Sequence, residues 1–298
     1  MSSRSLEQVT SEINECARRY PEFAQVKKLI EVLFQKQDSL LDKVKVNSED
    51  LKIELLELEN KLQNGVPLFA STVVDKELLI KFAEDACEAL IETTPQLTEN
   101  FHMFLEKLKQ SIMQKDEVRI SDVFSLMQEM EQSKQLERDL TTFFLTFVFS
   151  GVIATSLKDT IESIDTKLWE KGICPICGEK PHYGYLKGEG GSRTFDCWLC
   201  GCQWGSPRLK CPFCDNVAID DMGYFTVEDN ANCRIYFCKK CNAYHKTFDV
   251  REFVQDDVIL AIHNLATLSY DLLAQREGFK PGSGLQWVNE EEHRKSAN

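Results

Sequence analysis

The chain has 298 residues, an apolar fraction of 43% and a formal net charge of −13 at pH 7. This length allows two domains with buried cores, and the composition is typical of a globular protein. Residues 171–250 carry ten Lys/Arg and nine Asp/Glu, so most of the acidity lies in residues 1–170. Because binding to a nucleic-acid backbone requires a basic surface, the charge argues against nucleic acid as a partner.

Residues 1–170 carry apolar side chains at helical spacing, which predicts an all-helical N-terminal domain. Pro21 is expected to open a helix, because proline is tolerated in the first turn. Several helices of ordinary length are typical of an irregular bundle. The further helices are expected over about 51–62, 75–94, 97–113 and 136–168.

Nothing in this half predicts export or membrane insertion. Residues 1–14 are polar and lack the apolar centre of a secretory signal. The longest apolar run, residues 143–157, is too short to cross a bilayer. We therefore expect a cytoplasmic protein with this run as a buried helix.

At Lys171 the helical periodicity gives way to paired cysteines, glycines and short aromatic runs. Short strands are expected at 182–187, 222–228, 234–237 and 244–250, with a hairpin loop at 188–192. Helical spacing returns near residue 254 and is expected to end at Gly278 and Pro281. The predicted organisation is a helical domain at 1–170, a cysteine-rich region at 171–250, a C-terminal helix at 251–280 packing on the rest, and a flexible tail at 281–298.

Ten of the 12 cysteines lie between Cys174 and Cys241, and eight of these form four Cys-x-x-Cys pairs. Two intervening residues let both sulfurs of a pair face one point, and two pairs complete a tetrahedral site. The first and second pairs are separated by 19 residues, and the third and fourth pairs by 23 residues. Both lengths fit a β-hairpin. Paired in chain order, the cysteines predict two tandem rubredoxin-like or zinc-ribbon modules. Site 1 comprises Cys174, Cys177, Cys197 and Cys200, and site 2 comprises Cys211, Cys214, Cys238 and Cys241.

Each site is expected to hold one metal ion, iron or zinc, because both metals suit tetrahedral sulfur ligation. The alternatives are a dithiol redox motif, which needs a single pair in a βαβ setting, and disulfides, which need an oxidising compartment. Closed four-thiolate sites leave no open coordination position for hydrolysis. No Ser/His/Asp set or phosphate-binding glycine loop stands out, so we expect no enzyme and assign no catalytic residue.

Four cysteines remain outside the pairs. Cys202 and Cys233 are expected as small buried residues, with a second-choice metal ligand or a reactive thiol as the alternatives. Cys16 and Cys87 are expected in the helical core.

The order of residues around the pairs is specific. It reads CPICG from Cys174, an arginine (Arg193) four residues before the second pair, CWLC from Cys197, then Trp204, Arg208 and the third pair. This order, over about residues 171–282, resembles the FdhE family of formate dehydrogenase accessory proteins.

The resemblance implies a cytoplasmic protein that is required for active formate dehydrogenase and has no catalytic turnover of its own. It implies binding to the catalytic subunit of that enzyme and iron held by the paired cysteines in a rubredoxin-like manner. Arg193, Trp204 and Arg208 are residue types enriched at interface hot spots, so they are candidates for contacting the subunit. The same tryptophan could instead pack over a metal site, and the arginines could offset thiolate charge.

Two other functions follow from the residues themselves. Iron in four thiolates can pass one electron, so a rubredoxin-like electron-transfer or redox-sensing protein is the main alternative. A nucleic-acid-binding zinc ribbon is disfavoured by the charge balance. The sequence does not determine the oligomeric state.

Overall fold

The computed structural model describes residues 5–43, 64–65, 67, 73–74, 76–119, 122, 125–126, 129–130, 150, 154, 161–162, 164–227, 230–252 and 258–282. The helix expected at 51–62 lies outside these residues, as does most of the helix expected at 136–168.

The described part of the N-terminal half is helical, as predicted. Ser5 caps the first helix, accepting from the N–H of Gln8 while the Gln8 side chain accepts from the Ser5 N–H. Pro21 and Pro95 each open a short 3₁₀ turn that leads into the next helix. The four helices are α1 Leu6–Arg19, α2 Lys27–Lys43, α3 Lys76–Thr93 and α4 Thr98–Met113.

These helices bury their apolar stripes against one another, with α1 beside α2 and α3 beside α4. A short antiparallel ribbon pairs β1 Val73–Val74, which precedes α3 in the chain, with β2 Val118–Arg119, which follows α4. Among the described residues, no helix has the length and apolar content that a membrane span requires.

The cysteine-rich region forms one sheet rather than two separate units. Two three-stranded antiparallel meanders, β3–β4–β5 and β6–β7–β8, lie side by side in the order β5-β4-β3-β8-β7-β6. They are joined by parallel pairing of β3 with β8, from Tyr183 opposite Lys246 to Leu186 opposite Asp249. The strands are β3 Tyr183–Lys187, β4 Ser192–Asp196, β5 Gln203–Gly205, β6 Met222–Val227, β7 Asn230–Cys238 and β8 Ala243–Asp249.

The four expected strands are present, and the expected hairpin loop joins β3 to β4. Sequence reasoning missed β4 and β5. β5 is only three residues long, and β4 carries serine, arginine, threonine and aspartate around a single phenylalanine. Their pairing partners stabilise these strands more than their own composition does.

The expected C-terminal helical segment is present, but it is divided at Thr267 into α5 Leu260–Ala266 and α6 Leu268–Arg276. It ends as expected at Gly278, which has a positive φ of 89°. The Phe279 N–H donates to the Ala274 carbonyl and the Gly278 N–H to the Gln275 carbonyl, which is a Schellman motif. A last strand, β9 Lys280–Pro281, then pairs with the start of β8, and residues 283–298 of the expected tail lie outside the described residues.

A buried lysine explains the division of the C-terminal helix. Lys246 lies on β8 with a side chain that is 2% exposed. Its Nζ donates to the carbonyls of Asn264 at 2.8 Å and Thr267 at 3.2 Å, and to Asp271 Oδ2 at 2.6 Å. The cation thus satisfies carbonyls at the end of α5 that an unbroken helix would bond internally.

The first helix is linked to the C-terminal helical segment by a second buried polar pair. Glu12 on α1 and His263 on α5 approach to 2.6 Å between Oε1 and Nε2, and both side chains are buried. Residues from α1 and α5 therefore belong to one hydrophobic core that also contains the cysteines of site 1.

Replacing Lys246 by methionine should destabilise the protein strongly. The substitution keeps the volume but leaves Asp271 and two buried carbonyls without the ammonium, which typically costs about 3–5 kcal/mol. Guanidinium chloride unfolding would measure the loss in the free energy of unfolding. Lys280→Met, at an exposed lysine, is the control, and an equal effect in both variants would contradict this role for Lys246.

Candidate metal centre

The eight paired cysteines come together as the chain order predicts, in two clusters of four. In site 1 the Sγ atoms of Cys174 and Cys200 lie 3.5 Å apart, and those of Cys177 and Cys197 lie 3.4 Å apart. In each cluster all four sulfurs lie within 4.8 Å of one another.

Site 2 has the same arrangement with slightly wider spacing. The Sγ atoms of Cys211 and Cys241 are 3.8 Å apart, and so are those of Cys214 and Cys238. All twelve cysteines of the chain are free thiols. These distances are far longer than a disulfide bond, for which about 2.05 Å is required.

The clusters fit a tetrahedral metal ion. Four sulfurs placed about 2.3 Å from one ion would lie roughly 3.8 Å from one another, which is the spacing found in site 2 and close to that in site 1. Four thiol donors around one point suit zinc or iron, and they leave no position for a substrate. Site 1 and site 2 could therefore each hold one such ion.

A repeated backbone turn positions the sulfurs. In site 1 the N–H of Cys174 donates to the Glu179 carbonyl at 2.8 Å, and the N–H of Gly178 donates back to the Cys174 carbonyl at 3.0 Å. The same two bonds recur from Cys197 and from Cys211. The residue after the second cysteine of each pair has positive φ: Gly178, Gly201, Asp215 and Asn242. Glycine, asparagine and aspartate are the residues that tolerate this left-handed conformation.

Backbone donors stabilise a thiolate in site 2. Burial acts to raise the pKa of Cys238, but the N–H groups of Cys241 and Lys240 and the side-chain amide of Asn216 outweigh burial and lower the pKa to about 7. Asn216 Nδ2 lies 3.8 Å from the Cys238 sulfur. These donors favour the thiolate form of Cys238.

Site 1 has a similar single ionisable thiol in a drier setting. Burial acts to raise the pKa of Cys174, and hydrogen bonds from Cys177, Cys197 and Cys202 together lower it to about 7. Burial raises the pKa of the other three cysteines of the site. Each further thiolate of site 1 would lie against the first, so a cation is needed to hold the four thiols in their ionised form.

The cysteines outside the pairs are buried. Cys202 adjoins site 1 and hydrogen-bonds with Cys174, whereas Cys233 lies in the core of the sheet, where burial raises its pKa to about 12. Cys16 and Cys87 are in the helical core, as expected, and burial raises the pKa of each. The pKa of Cys202 is likewise raised well above its ordinary value by its hydrogen bond with Cys174 and by burial. Raised pKa values and lack of exposure make all four poor nucleophiles.

Arg193 has an internal role instead of the expected partner contact. It is 3% exposed, and burial lowers its pKa to about 10, so it remains charged at neutral pH. Its guanidinium donates to the carbonyls of Pro207 and of Lys210, the latter at 2.9 Å, and lies 3.2 Å from His245 Nε2. It therefore fixes the link that runs from β5 to site 2.

Trp204 is also internal and Arg208 is not. Trp204 is 1% exposed, because β5 turns only this residue inward, and its ring centroid lies 5.6 Å from that of Phe195. Arg208 is exposed and reaches Tyr236 Oη at 3.5 Å. Of the three candidate partner contacts, only Arg208 is available to another protein in this structure.

Sequence reasoning missed two residues beside the sites. Asn216 and Glu179 occupy the same place in their turns, two residues after the second cysteine, which is the signal that could have identified them. Glu179 is 1% exposed, and burial raises its pKa to about 8. His245 and His182, although close in sequence to the pairs, belong to neither cluster.

Comparisons with known proteins agree with the motif resemblance. No protein-family model matches the chain. A protein named FdhE homolog from Aquifex aeolicus is 27% identical over 267 residues, covering 88% of this chain and 87% of the relative. Proteins of that name from Stutzerimonas stutzeri and Pseudomonas aeruginosa are 33% and 31% identical over alignments that cover 36% of each relative. The crystal structure of the FdhE protein from Pseudomonas aeruginosa shares the fold, with a TM-score of 0.60, 19% identity and 94% of both chains covered.

Retention of the ions should depend on pH. Because the pKa values of Cys174 and Cys238 are lowered, their thiolates are available to bind the ion above pH 7 and are lost as the pH falls through about 7. The remaining thiols must also give up protons to bind metal. With a fixed concentration of a colorimetric chelator, ion release should increase progressively from about pH 8 to about pH 5. Release that is independent of pH would contradict thiolate ligation.

Proposed function

We propose that the chain is an accessory protein of the FdhE family which binds the catalytic subunit of formate dehydrogenase in the cytoplasm. The observation that supports the proposal is the alignment over 88% of the chain with an FdhE homolog. The two four-cysteine clusters, each holding an iron or zinc ion, would make the sheet a rigid platform for that subunit.

A binding role is supported by the chemistry of the clusters. Four thiol ligands complete the coordination of each ion, so neither ion can activate water or polarise a substrate. Within the described residues, groups of His, Cys, Asp and Glu close enough to hold a metal are confined to these two clusters.

The proposed docking surface lies around site 2. Leu209, Val217 and Ile219 flank the first turn of this site in sequence and are 63%, 66% and 66% exposed. Exposed leucine, valine and isoleucine residues beside Arg208 are typical of a surface that another protein covers. We propose that the catalytic subunit covers them.

The second candidate function is electron transfer or redox sensing by iron. The hydrogen bonds to the Cys238 sulfur favour it, because N–H donors to sulfur stabilise the reduced, more negative form of an iron–thiolate centre. Reversible bleaching of visible absorption on reduction would support this function. A native protein that contains zinc alone would contradict it.

Tagged protein expressed in its own host should capture the catalytic subunit of formate dehydrogenase. Leu209→Asp and Ile219→Asp should each reduce that capture about tenfold, because a carboxylate at a desolvated contact typically costs at least 1.4 kcal/mol. Met113→Asp, at a residue of α4 that is 69% exposed, is the matched control and should leave capture unchanged.

The same host without the gene should make the enzyme polypeptide but lose formate-dependent dye reduction. Full dye reduction in that strain would contradict the accessory role. Capture that persists in Leu209→Asp and Ile219→Asp would contradict the proposed surface alone.

A further inference from the structure

The two clusters have the same covalent pattern but different surroundings. The four cysteines of site 1 are all buried, with at most 3% exposure. In site 2, Cys214 and Cys241 are partly exposed, while Cys211 and Cys238 are buried. The two modules are similar, but the sulfur cluster of one lies inside the protein and that of the other lies at its surface.

Site 1 is part of the main hydrophobic core. Its four cysteines and Cys202 belong to the same buried cluster as residues of α1, α3 and α4. Pro67, from the N-terminal half, lies so close to the turn of site 1 that a Cβ on Gly178 would meet its Cγ at 3.1 Å. Trp169 fixes the chain that enters the site by donating from Nε1 to the Ile173 carbonyl at 2.7 Å. A reagent can reach these sulfurs only if the helices separate from the sheet.

Site 2 lies outside both hydrophobic cores of the described residues. Its two buried sulfur residues, Cys211 and Cys238, line a small cleft of about 20 Å³ together with Phe213 and Tyr236. The other two are themselves partly exposed. A small molecule can therefore approach site 2 at Cys214 and Cys241 without opening a core.

We propose that site 2 is the exchangeable, thiol-reactive metal site of the protein and that site 1 is an inert structural centre. The inference rests on the proposed binding of a thiophilic metal ion by both clusters. Ligand exchange at a four-thiolate site needs a competing ligand to reach the ion, or one thiol to leave it. Site 2 allows both at its surface, whereas site 1 requires a larger opening, and larger openings are rarer.

This assignment couples the state of site 2 to the neighbouring surface. The turn that supplies Cys211 and Cys214 is flanked in sequence by the exposed Leu209 and Val217. Loss of the ion from site 2 would release this turn and rearrange those side chains. Site 1 would meanwhile hold the helices and sheet together, so the chain would keep its fold.

The test is timed modification of the full-length native protein by iodoacetamide, in which a thiolate attacks the iodomethyl carbon and iodide leaves. A chelating dye measures the released ion, and peptide mass spectrometry identifies the modified cysteines. One ion should be released at least about tenfold faster than the other, with early modification at the four cysteines of site 2. A preparation with one ion and free thiols only at site 2 would also support the inference.

Simultaneous release, or earlier modification of site 1, would overturn the inference while leaving metal binding intact. Absence of ions from both clusters in anaerobically prepared protein would overturn metal binding and this inference with it. The capture experiment tests the accessory function, and its failure in protein that holds both ions would leave metal binding and this inference intact.

A matched pair of variants tests the assignment in another way, because Cys177 and Cys214 occupy the same position in the two modules. Cys214→Ser should keep one ion and a cooperative unfolding transition. Cys177→Ser should lose the cooperative transition, since its cluster belongs to the main core. The reverse result would overturn the inference.

Discussion

Four thiolates placed within a few ångströms of one point repel one another, and the cysteine-rich region is arranged to hold them there. Backbone turns with positive φ aim two sulfurs from each pair, and neighbouring N–H groups partly offset the charge at Cys238. A bound ion of iron or zinc would remove most of the remaining repulsion and supply folding free energy, on the order of 10 kcal/mol per site. The meanders of the sheet depend on this balance, because each begins at one pair of cysteines and contains the other.

The parallel pairing of β3 with β8 joins the two three-stranded meanders into a single sheet whose two ends differ. At one end, site 1 faces the helices and shares their core, which Glu12 and His263 extend to the C-terminal segment. At the other end, site 2 adjoins solvent beside exposed apolar residues.

Much of this architecture could be predicted from the sequence, because cysteine spacing and helical periodicity are local signals. The eight clustered cysteines, helices α3 and α4, and four strands were found in this way. The burial of Arg193 and Trp204 could not be predicted, since it depends on the carbonyls of the 207–210 link and on β5, a strand too short to show a pattern. The break at Thr267 was likewise hidden, because Lys246, which causes it, lies twenty-one residues away in the chain.

X-ray absorption at the metal edge, with metal analysis of anaerobically purified native protein, tests the central claim most directly. The account predicts two ions per chain, each surrounded by four sulfur atoms at about 2.3 Å with no nitrogen or oxygen ligand. A folded native protein without metal, or one whose eight thiols are joined as disulfides, would contradict it.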